Sequence, residues 1–363
     1  MRRITPGRVS HHCPEPPSPV TRTNGKAMTS PFLTSPWPMP RRRSGRSGLY
    51  FPLLGLDIGR QTQRSAPVHR SLLVHAVGLG ITHFDITASS GAPPTAEADM
   101  ARVLAPVKAW RDRLVITTRI GLGTRGGHIV GFGSRKHLHS SLDALLRGTG
   151  LDYVDVLYAH RYDCSTPLEE TAAALAAAVH QGKALYVGLS SYFPSVLHQA
   201  ADLMQDLGTP VVSYQASYSL LDRWIEGRIL DVLDEYGIGC TACSPLAHSA
   251  LAGTRALRTP HSSGSAVSTT PALAQLAAAR GQSLEQLAIS WVLHNKHITS
   301  ALISTSHIDH LTADRDAVGR LDFTSAEIHE LNACCPSPSD TPRPTPGAPW
   351  DTANLNHSVR ERR

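Results

Sequence analysis

Residues 80–100, GITHFDITASSGAPPTAEADM, open with a short apolar run that ends on Asp85 and passes into a Gly- and Pro-bearing turn. A strand that delivers a carboxylate to its end and then turns is the first half of a strand-to-helix unit. The pattern recurs. LVITTR at 114–119 ends on Arg119, YVDVLYAHRYD at 153–163 carries His160, and ALYVGLSSY at 184–192 carries Ser190. Outward from these, eight β-branched or apolar runs lie near 52–57, 81–85, 114–118, 153–158, 184–189, 210–215, 239–243 and 299–303. Between them fall Ala- and Leu-rich stretches of helical spacing near 62–78, 95–107, 135–148, 167–181, 194–207, 226–236, 284–296 and 307–318. Eight alternating pairs predict an α/β fold of (β/α)8 TIM-barrel type, with functional side chains at the C-terminal ends of the strands.

The chain has 363 residues, enough for one large barrel core. Its net charge is +6, but residues 1–46 hold nine Lys or Arg against one Glu, leaving 26 basic and 28 acidic residues in the remainder. The basic excess therefore belongs to the N-terminal segment, and the body lacks the charge bias of a nucleic-acid binder. Residues 1–47, rich in Pro, Ser and Arg with no apolar period, predict a disordered tail. The barrel is assigned to 48–334 and a second, Pro-rich tail to 335–363. No stretch approaches the roughly 20 apolar residues that span a bilayer, and the N-terminal segment lacks the apolar run of a secretory leader. The cytoplasm is the expected compartment.

Six cysteines at irregular spacing do not make a disulfide framework in a chain this long. Cys240 and Cys243 share the apolar run IGCTAC, where residues three apart face opposite sides, so both read as small core residues. His137 with His139, and His294 with His297, have ligand-like spacings but no third ligand beside them, so no metal site is expected. GLGTRGG at 121–127 reads as a flexible substrate loop, and 248–270 as a long Ser/Thr/Gly loop after the seventh strand.

With Asp85 in HFD and His160 in AHR both at strand ends in register, the chain resembles the aldo-keto reductase superfamily. The likeness is to the branch holding bacterial glyceraldehyde-3-phosphate-type reductases and potassium-channel β-subunits, and it runs from about Gly48 to about Leu331. It implies NADP(H) as cofactor, a small carbonyl substrate, and a tetrad of Asp, Tyr, Lys and His. The aligned positions here are Asp85, Ser90, Arg119 and His160. An aliphatic hydroxyl at 90 is a far weaker acid than a phenol, and a guanidinium at 119 stays protonated. The resemblance further implies that Ser190 and Gln215 hold the nicotinamide carboxamide, that Tyr218 stacks near the ring, and that Ser244 and Leu246 in SPLA pass the pyrophosphate.

The dinucleotide path departs from the pattern elsewhere. Relatives' GLLTGKY is SALAGTR here, with Thr254 at its lysine. Their GASRxxQLxEN is STSHIDHLTAD, with Ser304, His307, Ala313 and Asp314 at the Gly, Arg, Glu and Asn positions, and Asp57 replaces a glycine near the first strand. Losing these cations predicts weak or lost NADP(H) binding.

The leading expectation is non-redox proton transfer in a biosynthetic pathway: isomerisation, dehydration or cyclisation of a small carbonyl compound. In it Arg119 grips Asp85 as a bidentate fork and His160 titrates near neutrality. The alternatives are an NADP(H)-dependent aldehyde or ketone reductase with a substitute acid such as Tyr162 or His160, and a catalytically silent binding or regulatory subunit. The expected partner is a small molecule, with no nucleic acid or membrane, and a homo-oligomer is compatible.

Overall fold

The structure, a computed structural model, describes residues 39–58, 66–87, 100–121, 124–125, 128–129, 132–252 and 264–335. The chain divides at Ser30/Pro31, and all of these residues lie in the second unit, Pro31–Arg363.

Two short antiparallel strands come first, β1 (Arg41–Arg43) and β2 (Tyr50–Pro52). Then follow β3 (Leu54–Asp57), α1 (Ala66–Gly78), β4 (His83–Thr87), β5 (Val115–Ile120), and a small hairpin of β6 (Thr124–Arg125) with β7 (His128–Ile129). The chain continues through α2 (Arg135–Thr149), β8 (Val154–His160), α3 (Leu168–His180), β9 (Ala184–Ser190), α4 (Pro194–Asp206) and β10 (Val211–Ser217). It ends with α5 (Arg228–Tyr236), β11 (Gly239–Cys243), α6 (Gly264–Ala279), α7 (Leu284–His294), β12 (Ile298–Ile303), α8 (Ile308–Asp316) and α9 (Ser325–Cys334). Strands β3, β4, β5, β8, β9, β10, β11 and β12 close into one parallel barrel in chain order, with β12 returning to β3. This is the (β/α)8 barrel expected from the alternation.

Local chemistry sets the helix ends. Ser283 with Gln286, and Thr324 with Glu327, form reciprocal capping boxes that start α7 and α9. Ser134 caps α2, which stops at Gly150 in the left-handed conformation.

The outer strand faces bury Ile86, Ile116, Val187, Leu189 and Ile303 with Leu72, Leu73, Leu142, Leu175 and Leu287 from the helices. The inner face is more polar. His83, Asp85, Thr117, Ser213, Gln215, Thr241 and Ser300 are all fully buried there. Tyr158 crosses the lumen from β8 and donates to Ser213 Oγ on β10 at 2.7 Å. It can do so because Gly188 on the intervening strand has no Cβ, which would otherwise stand 2.3 Å from the ring. Phe51 from β2 packs with Val115, Val156 and Tyr158, apart from the main core.

Several boundaries are corrected. The tail expected through residue 47 gives way at Met39, which is buried, and at β1. Arg42 donates to the carbonyls of Leu293 and Asn295 at the end of α7 and of Ile298 at the start of β12, so this arginine is anchored, while Arg41 and Arg43 beside it are exposed. The expected loop at 248–270 contains the start of α6, which includes Pro271. The helix α9 was not anticipated, and Cys335 beyond it is buried, with its carbonyl accepting from Arg223. Part of the expected loop at 121–127 pairs as the β6–β7 hairpin.

Candidate active site

Side chains two apart on a strand share a face, so β5 presents Val115, Thr117 and Arg119 to the lumen and β4 presents His83 and Asp85. Parallel register sets Asp85 beside Thr117. Thr117 donates its hydroxyl to Asp85 Oδ1 at 2.7 Å, while Asp85 Oδ2 meets Arg119 Nη2 at 2.9 Å. The same Nη2 lies 3.6 Å from Asp57 Oδ2 at the end of β3. The expected bidentate fork on Asp85 is therefore corrected: Thr117 occupies one carboxylate oxygen, and the guanidinium spans two acids. Burial opposes the charge of Arg119, yet Asp85 and Asp57, with Cys243 adding, outweigh it and raise its pKa. Arg119 is a fixed cation and no proton donor.

His160, Ser190 and Gln215 stand side by side at the ends of β8, β9 and β10, paired in register. His160 Nδ1 lies 3.2 Å from Ser190 Oγ. Burial, then the positive charges of Arg119 and Arg161, push the histidine pKa well below its usual value. The ring is neutral near pH 7, which corrects the expectation that it titrates there. A Ser190 hydroxyl that donates to Nδ1 would leave the proton on Nε2 and a neutral N–H donor for a carbonyl oxygen.

Gln215 is fully buried, and neither Nε2 nor Oε1 has a partner among the described residues. A buried amide left unsatisfied is costly, so the position calls for a ligand that both donates and accepts. A primary carboxamide does both.

The remaining expected residues are placed less centrally. Ser244 follows β11 with φ +54° and its Oγ 3.4 Å from His248 Nδ1, and Leu246 packs half-buried on the core. Tyr218 is not brought into the cluster. Its ring packs on Trp291 at 5.2 Å, and its hydroxyl donates to Glu226 at 2.7 Å and accepts from Asn295 at 3.2 Å. Ser90 and Thr254 lie outside the described residues. His307 is exposed at the start of α8, its ring 4.9 Å from that of His310, whereas Asp314 is buried.

Sequence reasoning missed Thr117 and misplaced Cys243. Cys240 is buried in the core, but Cys243 faces the mouth within electrostatic reach of Arg119, Asp85 and Asp57. Burial, then Asp85, Asp57 and Asp222 acting against Arg119, push its thiol up to about 11. The signal for Thr117 was the two-residue period of VITTR, which places it on the face of Arg119.

The family model described as Aldo/keto reductase family matches residues 56–335. Two curated relatives, both named L-glyceraldehyde 3-phosphate reductase, come from Escherichia coli strain K12 and from Escherichia coli O157:H7. Each is 38% identical over 317 residues, covering 81% of this chain and 92% of the relative.

Proposed function

Because the chain belongs to the aldo/keto reductase family, we propose that it is a nicotinamide-dependent oxidoreductase of a small aldehyde or ketone, with the carbonyl oxygen set against His160 Nε2–H. The observation that carries this reading is the buried, unpartnered amide of Gln215 beside Ser190 and His160. Bound NADP(H) would supply or accept the hydride. Gln215 and Ser190 would hold its carboxamide, while Ser244 and Leu246 would line the path toward its pyrophosphate. At the adenosine end His307 replaces a bidentate arginine, so binding is weak.

The chain's own residues divide the remaining work. His160 orients and polarises the carbonyl, while Arg119, held by Asp85 and Asp57 in a cluster of formal charge −1, stays a protonated hydrogen-bond donor at the mouth. Arg119 stays protonated near neutrality, and His160, neutral there, offers a ring N–H and a basic nitrogen in place of an imidazolium acid. Tyr162, half-buried two residues after His160 with its ring 6.0 Å from that of Tyr192, is the acid assigned in place of the missing tyrosine. No helix of the described residues is long and apolar enough to cross a membrane, and the cytoplasm is the proposed compartment.

The test is titration with NADPH and with NADP, followed by nicotinamide fluorescence and thermal stability. Assays with small aldehydes follow, beginning with the L-glyceraldehyde 3-phosphate that the relatives' name indicates. Weak binding with NADPH consumed one-for-one with alcohol formed is expected. Conversion of a carbonyl compound without nicotinamide consumption would replace this reading with non-redox chemistry.

A further inference from the structure

Beneath the Asp85–Arg119 pair the barrel lumen holds a hydrogen-bonded row reaching across three strands. Ser300 Oγ on β12 lies 3.3 Å from His83 Nδ1, His83 Nε2 lies 3.1 Å from Thr117 Oγ1, and Thr117 donates to Asp85 Oδ1 at 2.7 Å. All four side chains are fully buried.

The direction of each bond follows from its end. An ionised carboxylate only accepts, so the single hydroxyl proton of Thr117 is given to Asp85. Thr117 must then accept from His83, which fixes the imidazole proton on Nε2. Burial outweighs the attraction of Asp85 and holds the histidine pKa at about 4, so the ring is neutral and Nδ1 is bare. Nδ1 can only accept, and Ser300 supplies the donor. The ring is held in place as well: Phe51 meets it edge-on at 4.7 Å, and a Cβ on Gly55 would stand 2.4 Å from Nδ1.

We propose that Ser300, His83 and Thr117 form a one-way hydrogen-bond relay whose dipoles all point at Asp85, making His83 and Thr117 positioning residues that turn the second carboxylate oxygen toward Arg119. Aligned donors polarise one another, so the last bond is stronger than an isolated hydroxyl contact in the same lumen. The role in turnover rests on the proposed oxidoreductase reading. The relay itself does not.

Thr117→Val removes the hydroxyl at nearly constant shape, and Thr117→Ser restores it. Nitrogen-15 NMR of the His83 ring should show one neutral Nε2–H tautomer across the neutral pH range in wild type and in Thr117→Ser, and loss of that single state in Thr117→Val. Exchange of the Arg119 guanidinium protons should quicken about tenfold in Thr117→Val only. If the protein reduces a carbonyl, kcat should fall about tenfold in Thr117→Val with KM little changed, and recover in Thr117→Ser. If Thr117→Val does not fold, Ser300→Ala is the second variant: it should keep the Nε2–H tautomer, which Thr117 fixes, and shift the Nδ1 resonance as that nitrogen loses its donor, and an unshifted Nδ1 or a lost Nε2–H would overturn the relay. An Nδ1–H tautomer in wild type, or valine and serine variants that behave alike in the NMR readouts, would overturn the relay. Absent reductase activity with the NMR pattern intact would overturn only the proposed function.

Discussion

Asp57 Oδ2 stands 3.6 Å from Arg119 Nη2, on the strand next to the one that places Asp85 at 2.9 Å from the same nitrogen. One cation is therefore shared between a fully buried acid and a nearly buried one. In the family pattern the corresponding first-strand position is a glycine, so the second acid accompanies the change from lysine to arginine.

The two arms of this cluster should differ in what their loss does to stability. Arg119→Met strands the buried Asp85 charge and should cost about 3–5 kcal/mol. Asp57→Asn leaves the inner pair intact and should cost about 1 kcal/mol or less. Urea midpoints on the two variants check this; equal losses would mean that Asp57 and not Asp85 is the main partner.

Acid should destabilise the fold through its buried histidines. His83 has a folded pKa of about 4 against an ordinary 6.5. Above 6.5 the ring is neutral whether folded or not, so there is no penalty. Below 6.5 the unfolded chain takes up a proton that the folded chain refuses, and stability falls until about pH 4, by about 3 kcal/mol for this group. His160, also depressed, adds in the same direction. His83→Gln should flatten the fall in urea stability between those pH values.

For catalysis the same depression predicts a pH–rate profile without a limb near 6.5, even though His160→Ala should lower kcat by about tenfold or more. A clear limb at the ordinary histidine value would show that His160 titrates during turnover.

Ala247, His248 and Ser249 follow one another at φ +48°, +53° and +78°. Three side-chain-bearing residues in the left-handed region store strain. Ser249 stands where the family motif has glycine, so Ser249→Gly should raise stability by about 0.5–1 kcal/mol in thermal or urea unfolding. A loss would mean that the serine side chain contributes more than its backbone strain costs.

Restoring the family's acid should need more than one change. Ser90→Tyr alone should recover little activity, because a phenol there lacks the compact ammonium that tunes it. Adding Arg119→Lys should exceed the sum of the single effects, and adding Asp57→Gly should help again by returning the cation to Asp85. Steady-state rates on one small aldehyde decide it; full turnover from Ser90→Tyr alone would remove the coupling.

Much of the barrel was legible because its strands alternate: VITTR by itself sets Thr117 and Arg119 on one face, and HFD delivers Asp85 to the neighbouring strand end. What stayed hidden depends on partners far along the chain. Arg42 fell within the tail expected through residue 47, because its partners, carbonyls at the end of α7 and the start of β12, lie far along the chain. The Ser/Thr/Pro-rich start of α6 has the composition of a loop, and only its Ala- and Leu-rich second half is a strong helix former. A fork on Asp85 was expected from residue chemistry; Thr117 had already claimed one oxygen. The neutrality of His160 came first from its burial, which no sequence motif displays, and then from Arg119 and Arg161, both on view in VITTR and AHR.

The closure of β12 onto β3 also says something about how the chain is made. Residues 54–56 pair with 301–303, and Arg42 binds carbonyls 251–256 residues later. At ribosomal rates of about 5–20 residues per second, roughly 10–50 s separate the emergence of the first strand from that of its closing neighbour. Through that interval one edge of β3 and the donors of Arg42 have no native partner, and the nascent chain carries an open sheet edge. Its yield in the cell should therefore depend on holdase chaperones during synthesis more than the stability of the finished barrel would suggest.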